Sequence, residues 1–327
     1  MPDGRLIDGR YSIPRSLYHD RIRPTGNPGG GGGLDPSTWT EKARRLTERL
    51  RACDICPRMC RVDRTKGERG VCRTGARAIV ASYGPHYGEE PPLVGHNGSG
   101  TVFFSGCSLR CVFCQNYEIS HLQEGEEMEP GRLAAIFLAV QRMGCHNLNL
   151  VTPTHVTPQI VEALAIAAER GFCKPVVYNC GGYERPETVR ELAGVVDIYM
   201  PDLKFLGAEP AARYCAAPDY PDVAREALRE MARQVGPLVL DRHGIAARGL
   251  LVRHLVMPGD ASTTREVIDF LAGEIGTDTY LNLMDQYRPC GRAAEFPEIA
   301  RRISSSEWEE AHAYALRKGM TRLAGDA

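Results

Sequence analysis

Between Thr101 and Met284 the chain alternates short, nearly continuous apolar runs with longer stretches in which apolar residues recur every three or four positions. The short runs, Thr101–Gly106, Asn147–Val151, Val176–Asn179, Val195–Met200, Leu250–Met257 and Tyr280–Met284, predict strands. Leu133–Met143, Pro158–Arg170, Glu187–Ala193, Asp222–Val235 and Thr264–Ala272 have helical spacing and fall between them. Six strand–helix units in strict alternation predict an α/β fold with a parallel sheet and helices packed outside. Their number suits a partial (β/α)6 TIM-type barrel as well as a doubly wound sheet. Either way, functional groups belong at the carboxyl ends of the strands, where the βα loops begin.

Outside that region the pattern changes. Residues 1–38 are rich in Pro, Gly and Arg, include the run Gly29 to Gly33, and have no period that would bury a face, which predicts a flexible tail. Trp39–Leu50 reads as a short helix leading into a cysteine-rich extension, so that residues 39–96 form one segment, 97–300 the barrel and 301–327 a C-terminal helix.

Composition narrows the function classes. A formal charge of −1 offers no field of one sign for nucleic acid or an anionic membrane surface. The longest uninterrupted apolar stretch, Leu133 to Val140, is too short to span a bilayer, and Met1-Pro-Asp-Gly-Arg5 lacks the apolar core of a signal peptide. A cytoplasmic protein with neither nucleic-acid nor membrane partner is expected. Twelve cysteines in 327 residues are better explained by metal or cluster ligation than by a disulfide scaffold, which serves short chains without a core. Seven fall in two groups, Cys53/Cys56/Cys60/Cys72 and Cys107/Cys111/Cys114. The others, Cys145, Cys173, Cys180, Cys215 and Cys290, are expected to act as small buried apolar residues.

The second group stands directly after the first predicted strand as a C-x3-C-x2-C loop. Three thiolates on one loop hold three irons of a 4Fe-4S cluster and leave the fourth iron open. A zinc site with a distant fourth ligand is the alternative, although closed zinc sites usually use paired C-x2-C knuckles. The first group supplies four thiols within twenty residues, enough for tetrahedral zinc or for a complete auxiliary iron–sulfur cluster, and spacing leaves both open.

With Phe113 as the aromatic residue before its last cysteine, the loop resembles the C-x3-C-x-aromatic-C hallmark of the radical SAM superfamily. That resemblance implies a partial barrel, S-adenosyl-L-methionine chelated by the open iron, and one-electron cleavage to methionine and a 5′-deoxyadenosyl radical that abstracts hydrogen. It assigns Cys107, Cys111 and Cys114 as catalytic cluster ligands. Over residues 100–290 the chain is most similar to activating enzymes of glycyl radical enzymes, such as the pyruvate formate-lyase activase. Cys114-Gln-Asn116 resembles their Cys-His-Asn; Thr152-Pro-Thr154 replaces their Gly-Gly-Glu turn; Asn179 and Cys180 stand where they have Asp-Thr. Asp197-Ile-Tyr-Met-Pro-Asp202-Leu-Lys204 is similar to their Asp-x-x-x-x-Asp-Leu-Lys, and Val252-Arg-His-Leu-Val-Met-Pro-Gly259 to their Arg-Tyr-Val-Val-x-Pro-Gly.

The resemblance thus implies cofactor contacts from Phe113, Asn116, Thr152, Thr154, Asn179, Asp202 and Lys204. It makes Arg253 the anchor of the methionine carboxylate, a role its planar fork suits, and offers Gln286 among the polar groups after the sixth strand. The N-terminal cysteines followed by Tyr87-Gly-Glu-Glu-Pro-Pro-Leu-Val-Gly95 resemble the PflX-like branch of activase homologues. The implied activity is an activase-like hydrogen abstraction, with a reductant such as flavodoxin or ferredoxin and a glycyl radical enzyme as protein substrate. Radical modification of a small molecule or peptide, or a non-catalytic iron–sulfur electron carrier, are the other readings.

Overall fold

In the computed structural model, which describes residues 36–324, the chain starts with α1 (Pro36–Glu48). Residues 36–38, expected in the tail, begin this helix. The rest of that expected tail lies outside the described residues. α1 is tied to the body of the molecule by Trp39 Nε1, which donates to the Gly194 carbonyl at 3.1 Å, and by Arg45, 2.7 Å from Glu191.

There follow β1 (Ala78–His86), α2 (Pro91–Val94), β2 (Ser99–Phe104), α3 (Tyr117–His121), β3 (Glu126–Met128) and α4 (Pro130–Arg142). β4 (Leu148–Val151), α5 (Thr157–Glu169), β5 (Val176–Cys180), α6 (Pro186–Glu191), β6 (Ile198–Pro201), α7 (Ala208–Cys215) and α8 (Tyr220–Val235) continue the alternation. β7 (Val239–Leu240), β8 (Ala246–Leu255), α9 (Thr264–Phe270), β9 (Tyr280–Met284) and α10 (Ser305–Arg317) complete it. Ser304 and Glu307 close the start of α10 with a reciprocal capping box.

The six expected strands are β2, β4, β5, β6, β8 and β9, and they run parallel in that order. The architecture is α/β with a mostly parallel, open sheet. Three antiparallel strands that the apolar pattern did not predict extend it: β1 and β3 beyond β2, and β7 beside the start of β8. Among the described residues, β9 joins no second strand of the sheet, so the barrel stays open between β9 and β2.

Strand side chains alternate between two cores, as a period of two requires. Val102, Phe104, Leu148, Leu150, Tyr178, Tyr199, Leu250, Val252, Leu281 and Leu283 pack outward with residues of α4, α5, α8 and α9. Val177, Ile198, Met200 and Leu251 point inward, onto Leu93 of α2. The segment between β1 and β2 therefore plugs the barrel interior. By the same alternation Asn149, Asn179, Asp202, Arg253 and Asn282 face inward.

Candidate functional site

The cluster loop leaves β2 through Gly106, whose φ is +86° and whose missing Cβ would lie 2.6 Å from the Cys72 carbonyl. Only glycine fits there. His155, from the turn before α5, sits 2.8 Å from the Ser105 carbonyl through Nε2 and so fixes the backbone just ahead of Cys107. The outer half of the loop is zipped to the end of α7: Arg110 N donates to Cys215 O at 3.2 Å and Val112 N to Tyr214 O at 2.8 Å. Burial pushes the Cys107 thiol up to about 12 and the Cys114 thiol up as well, and contact with Cys215 followed by burial raises Cys111. The Lys204 ammonium pulls all three the other way. In the metal-free chain these are neutral thiols, and a bound metal would displace their protons. Three soft donors on one strand-end loop beside a fixed cation suit an anionic iron–sulfur centre with one iron left unligated by protein.

Lys204 bonds Asp202 at 2.6 Å. Burial works against the Lys204 charge, but Asp202 and Cys111 more than offset it, so its ammonium is held well above the usual range. Two buried groups fix this corner. The Tyr220 hydroxyl accepts the Lys204 amide at 2.9 Å and lies 2.8 Å from the Asp202 carbonyl, while His254 Nδ1 lies 2.6 Å from the Leu203 carbonyl. Asn179, 8 % exposed, faces the interior from the end of β5, and among the described residues its side chain has no hydrogen-bond partner. Thr152, at the end of β4, takes a left-handed φ of 62°, strained for a β-branched residue, with its amide donating to the Asn179 carbonyl at 2.9 Å. Cys107, Cys111, Cys114, Asp202, Lys204, Asn179 and Thr152 are thus brought to one end of the barrel.

The other expected contacts have surroundings of their own. The Phe113 ring packs against Phe205 and Tyr287 at 6.0 and 6.3 Å, inside the core shared with the helices, because the loop turns back over that core. Asn116 is exposed at the start of α3, and Gln286 is exposed beyond β9, bonded to Met284 Sδ at 3.3 Å. Arg253 was expected to hold a carboxylate and does, but the carboxylates are the protein's own. Its Nε and Nη2 meet Glu90 at 2.6 Å, and Nη2 also meets Glu89. Asn282 Nδ2 donates to Glu90 at 2.8 Å. These contacts bridge the open seam from the β1–β2 segment to β8 and β9, so the fork expected to anchor methionine is filled. Of the scattered cysteines, Cys173 is exposed and Cys290 partly so, whereas Cys215 is buried with its sulfur 3.1 Å from Cys111. Ser120 Oγ, 3.1 Å from Cys114 Sγ, is another neighbour the pattern did not signal.

Thr154 is spent on a buried network. Its hydroxyl donates to Glu184, which also accepts from Tyr178 at 3.1 Å; Tyr178 in turn lies 2.9 Å from the Thr157 hydroxyl. Thr154 thereby pins the turn after β4. Burial carries the Glu184 carboxyl up to about 7, against the pull of its hydrogen bonds from Thr154 and Tyr178. Folding thus favours the protonated acid: the contribution is complete below the unfolded value of 4.5 and is lost as pH rises through about 7. The loss is about 3 kcal/mol at most. Urea melts at pH 5 and pH 8 should show Glu184→Gln flattening this decline relative to the parent protein; parallel curves would remove Glu184 from the account.

The N-terminal thiols gather on a loop lying against the cluster loop. Cys53, Cys56 and Cys72 are buried and Cys60 partly so, and Cys56, pushed up chiefly by burial, also feels the other three. Arg58, between Cys56 and Cys60, donates to Ser108 O at 2.8 Å and to Ala216 O at 2.6 Å.

Residues 101–271 match the family model of the Radical SAM superfamily. An uncharacterized protein of Methanocaldococcus jannaschii, MJ0674, is 32 % identical over 267 residues, covering 79 % of this chain and 72 % of that protein. Among solved structures, HydG, a maturase of the FeFe-hydrogenase, aligns at 14 % identity and a TM-score of 0.45. That alignment covers 65 % of this chain and only 47 % of HydG. A domain of the pyruvate-formate lyase-activating enzyme of Bacteroides vulgatus aligns at 13 % identity and a TM-score of 0.35, over 60 % of this chain and 91 % of that domain.

Proposed function

Since the chain belongs to the radical SAM superfamily and is therefore an enzyme, we propose that it activates a protein partner by taking hydrogen from a backbone glycine, as activases do. Cys107, Cys111 and Cys114 hold the catalytic 4Fe-4S cluster and leave one iron free for S-adenosyl-L-methionine. When bound, the pair supplies a 5′-deoxyadenosyl radical by one-electron reduction. The chain's own residues orient and enclose. Asn179 offers a free amide to the cofactor, and the Asp202–Lys204 pair presents one acceptor and one cation beside the cluster loop. With Arg253 engaged by Glu89 and Glu90, Lys204 meets the methionine carboxylate with the ammonium protons that its pairing with Asp202 leaves over. The N-terminal thiols hold a second centre, zinc or an iron–sulfur cluster, and the reductant is a flavodoxin or ferredoxin in the cytoplasm.

The observation that carries this reading is the convergence of the three-cysteine loop, Asn179 and the Asp202–Lys204 pair on one end of the barrel. The experiment is isotopic. A glycyl radical enzyme labelled with deuterium at glycine is incubated with reduced enzyme and S-adenosylmethionine. Deuterium in the 5′-deoxyadenosine and a long-lived glycyl radical in the partner support the proposal. Transfer from a labelled small molecule or peptide alone overturns the glycine assignment.

A further inference from the structure

Arg64 is 1 % exposed, yet among the described residues no carboxylate meets its guanidinium. Nε donates to the Gly75 carbonyl at 2.9 Å and Nη1 to the His155 carbonyl at 2.7 Å, while Nη2 is buried without a partner. Nη1 also lies 3.8 Å from Cys53 Sγ. A cation sealed from water calls for an opposite charge. The negative charge in reach is that of the Cys53 thiolate, as one ligand of the group it forms with Cys56, Cys60 and Cys72 once they hold metal. Four thiolates around a doubly charged core leave about two negative charges, so a metal centre here supplies what Arg64 lacks.

One further feature, position, bears on which metal. The Cys72 carbonyl packs against Gly106, the residue before Cys107, and Arg58 ties the Cys56–Cys60 turn to Ser108 and Ala216. An electron carrier needs that closeness to the other cysteine loop. Cys60 is the least buried of the four thiols and accepts a hydrogen bond from the Val71 amide at 3.5 Å.

We infer that Cys53, Cys56, Cys60 and Cys72 hold a closed 4Fe-4S cluster that relays single electrons to the open cluster at Cys107, Cys111 and Cys114, with Arg64 as its built-in countercharge. The destination of the electron rests on the radical SAM reading. A low-potential one-electron carrier protein is oxidised by one electron, the N-terminal cluster is reduced by it and then reoxidised as the open cluster is reduced, and no covalent bond forms or breaks.

Metal content separates this inference from the proposed activity. Protein purified anaerobically with Cys107→Ala, Cys111→Ala and Cys114→Ala combined should keep about four irons per chain and essentially no zinc, against about eight irons in the parent. About one zinc per chain with no iron in that variant, or neither metal, overturns the inference, whether or not the parent cleaves S-adenosylmethionine. A freeze-quench EPR series on the parent mixed with reduced flavodoxin tests the relay without any substitution. The signal retained by the triple variant should appear first and decay as the second signal grows; the reverse order overturns the relay.

Discussion

Alanine at position 111 is expected to remove about four irons per chain and all 5′-deoxyadenosine formation. Cys111 is buried in the middle of the loop, and without it two thiols remain where the open cluster needs three. Cys215 gives the control. Its sulfur is 3.1 Å from Cys111, near enough to be mistaken for a ligand, but it sits at the end of α7 and not on the loop. Cys215→Ser should therefore leave both iron and product unchanged. If Cys215→Ser removes the cluster and Cys111→Ala keeps it, the ligand assignment fails. Iron analysis together with chromatography of the nucleoside reads both outcomes.

Arg253→Met is expected to destabilise the fold by about 4 kcal/mol at neutral pH, because it strands two buried carboxylates. The side chains of Glu89 and Glu90 are only 7 % and 2 % exposed, and Arg253 is the cation that meets both. In the parent, burial tends to raise the Glu90 carboxyl, but Arg253 outweighs burial and holds it below the usual range. That contribution to stability is present above the unfolded value and is lost as pH falls through the lower folded one. Without Arg253 the sign reverses: burial and the neighbouring carboxylate raise Glu90, so acidification restores stability to the variant while it weakens the parent's. Denaturant melts from pH 4 to 8 should show the two slopes opposed. Parallel slopes would mean that the pair does not brace the seam.

The parallel scaffold was legible because six apolar runs and the helices between them each follow one period. β9 agrees with its predicted bounds, and β8 starts four residues early, at Ala246 rather than Leu250. β1 escaped notice because Gly84 and Pro85 interrupt it and its outer half is exposed. β7 is two exposed residues, too short to have a period. At the site, spacing placed the cysteine loop and the Asp202–Lys204 pair, because both are local motifs. The partners of Arg253 were hidden for the opposite reason: Glu89 and Glu90 lie more than 160 positions away in sequence and arrive by crossing the open seam. Glu184 carried a readable signal, an acid just past a strand's carboxyl end, but its burial behind Thr154 and Tyr178 is tertiary. Matching Arg253 to a ligand carboxylate identified its chemistry and not its partner.

On the proposed reading, three thiolates at one end of this barrel hold a cluster whose free iron takes S-adenosylmethionine. The most direct measurement is anaerobic reconstitution with iron and sulfide, reduction by dithionite, and quantification of 5′-deoxyadenosine and methionine after S-adenosylmethionine is added. Both products are expected in equal amounts, dependent on Cys107, Cys111 and Cys114; a fully loaded, reduced cluster that leaves S-adenosylmethionine intact would contradict this assignment.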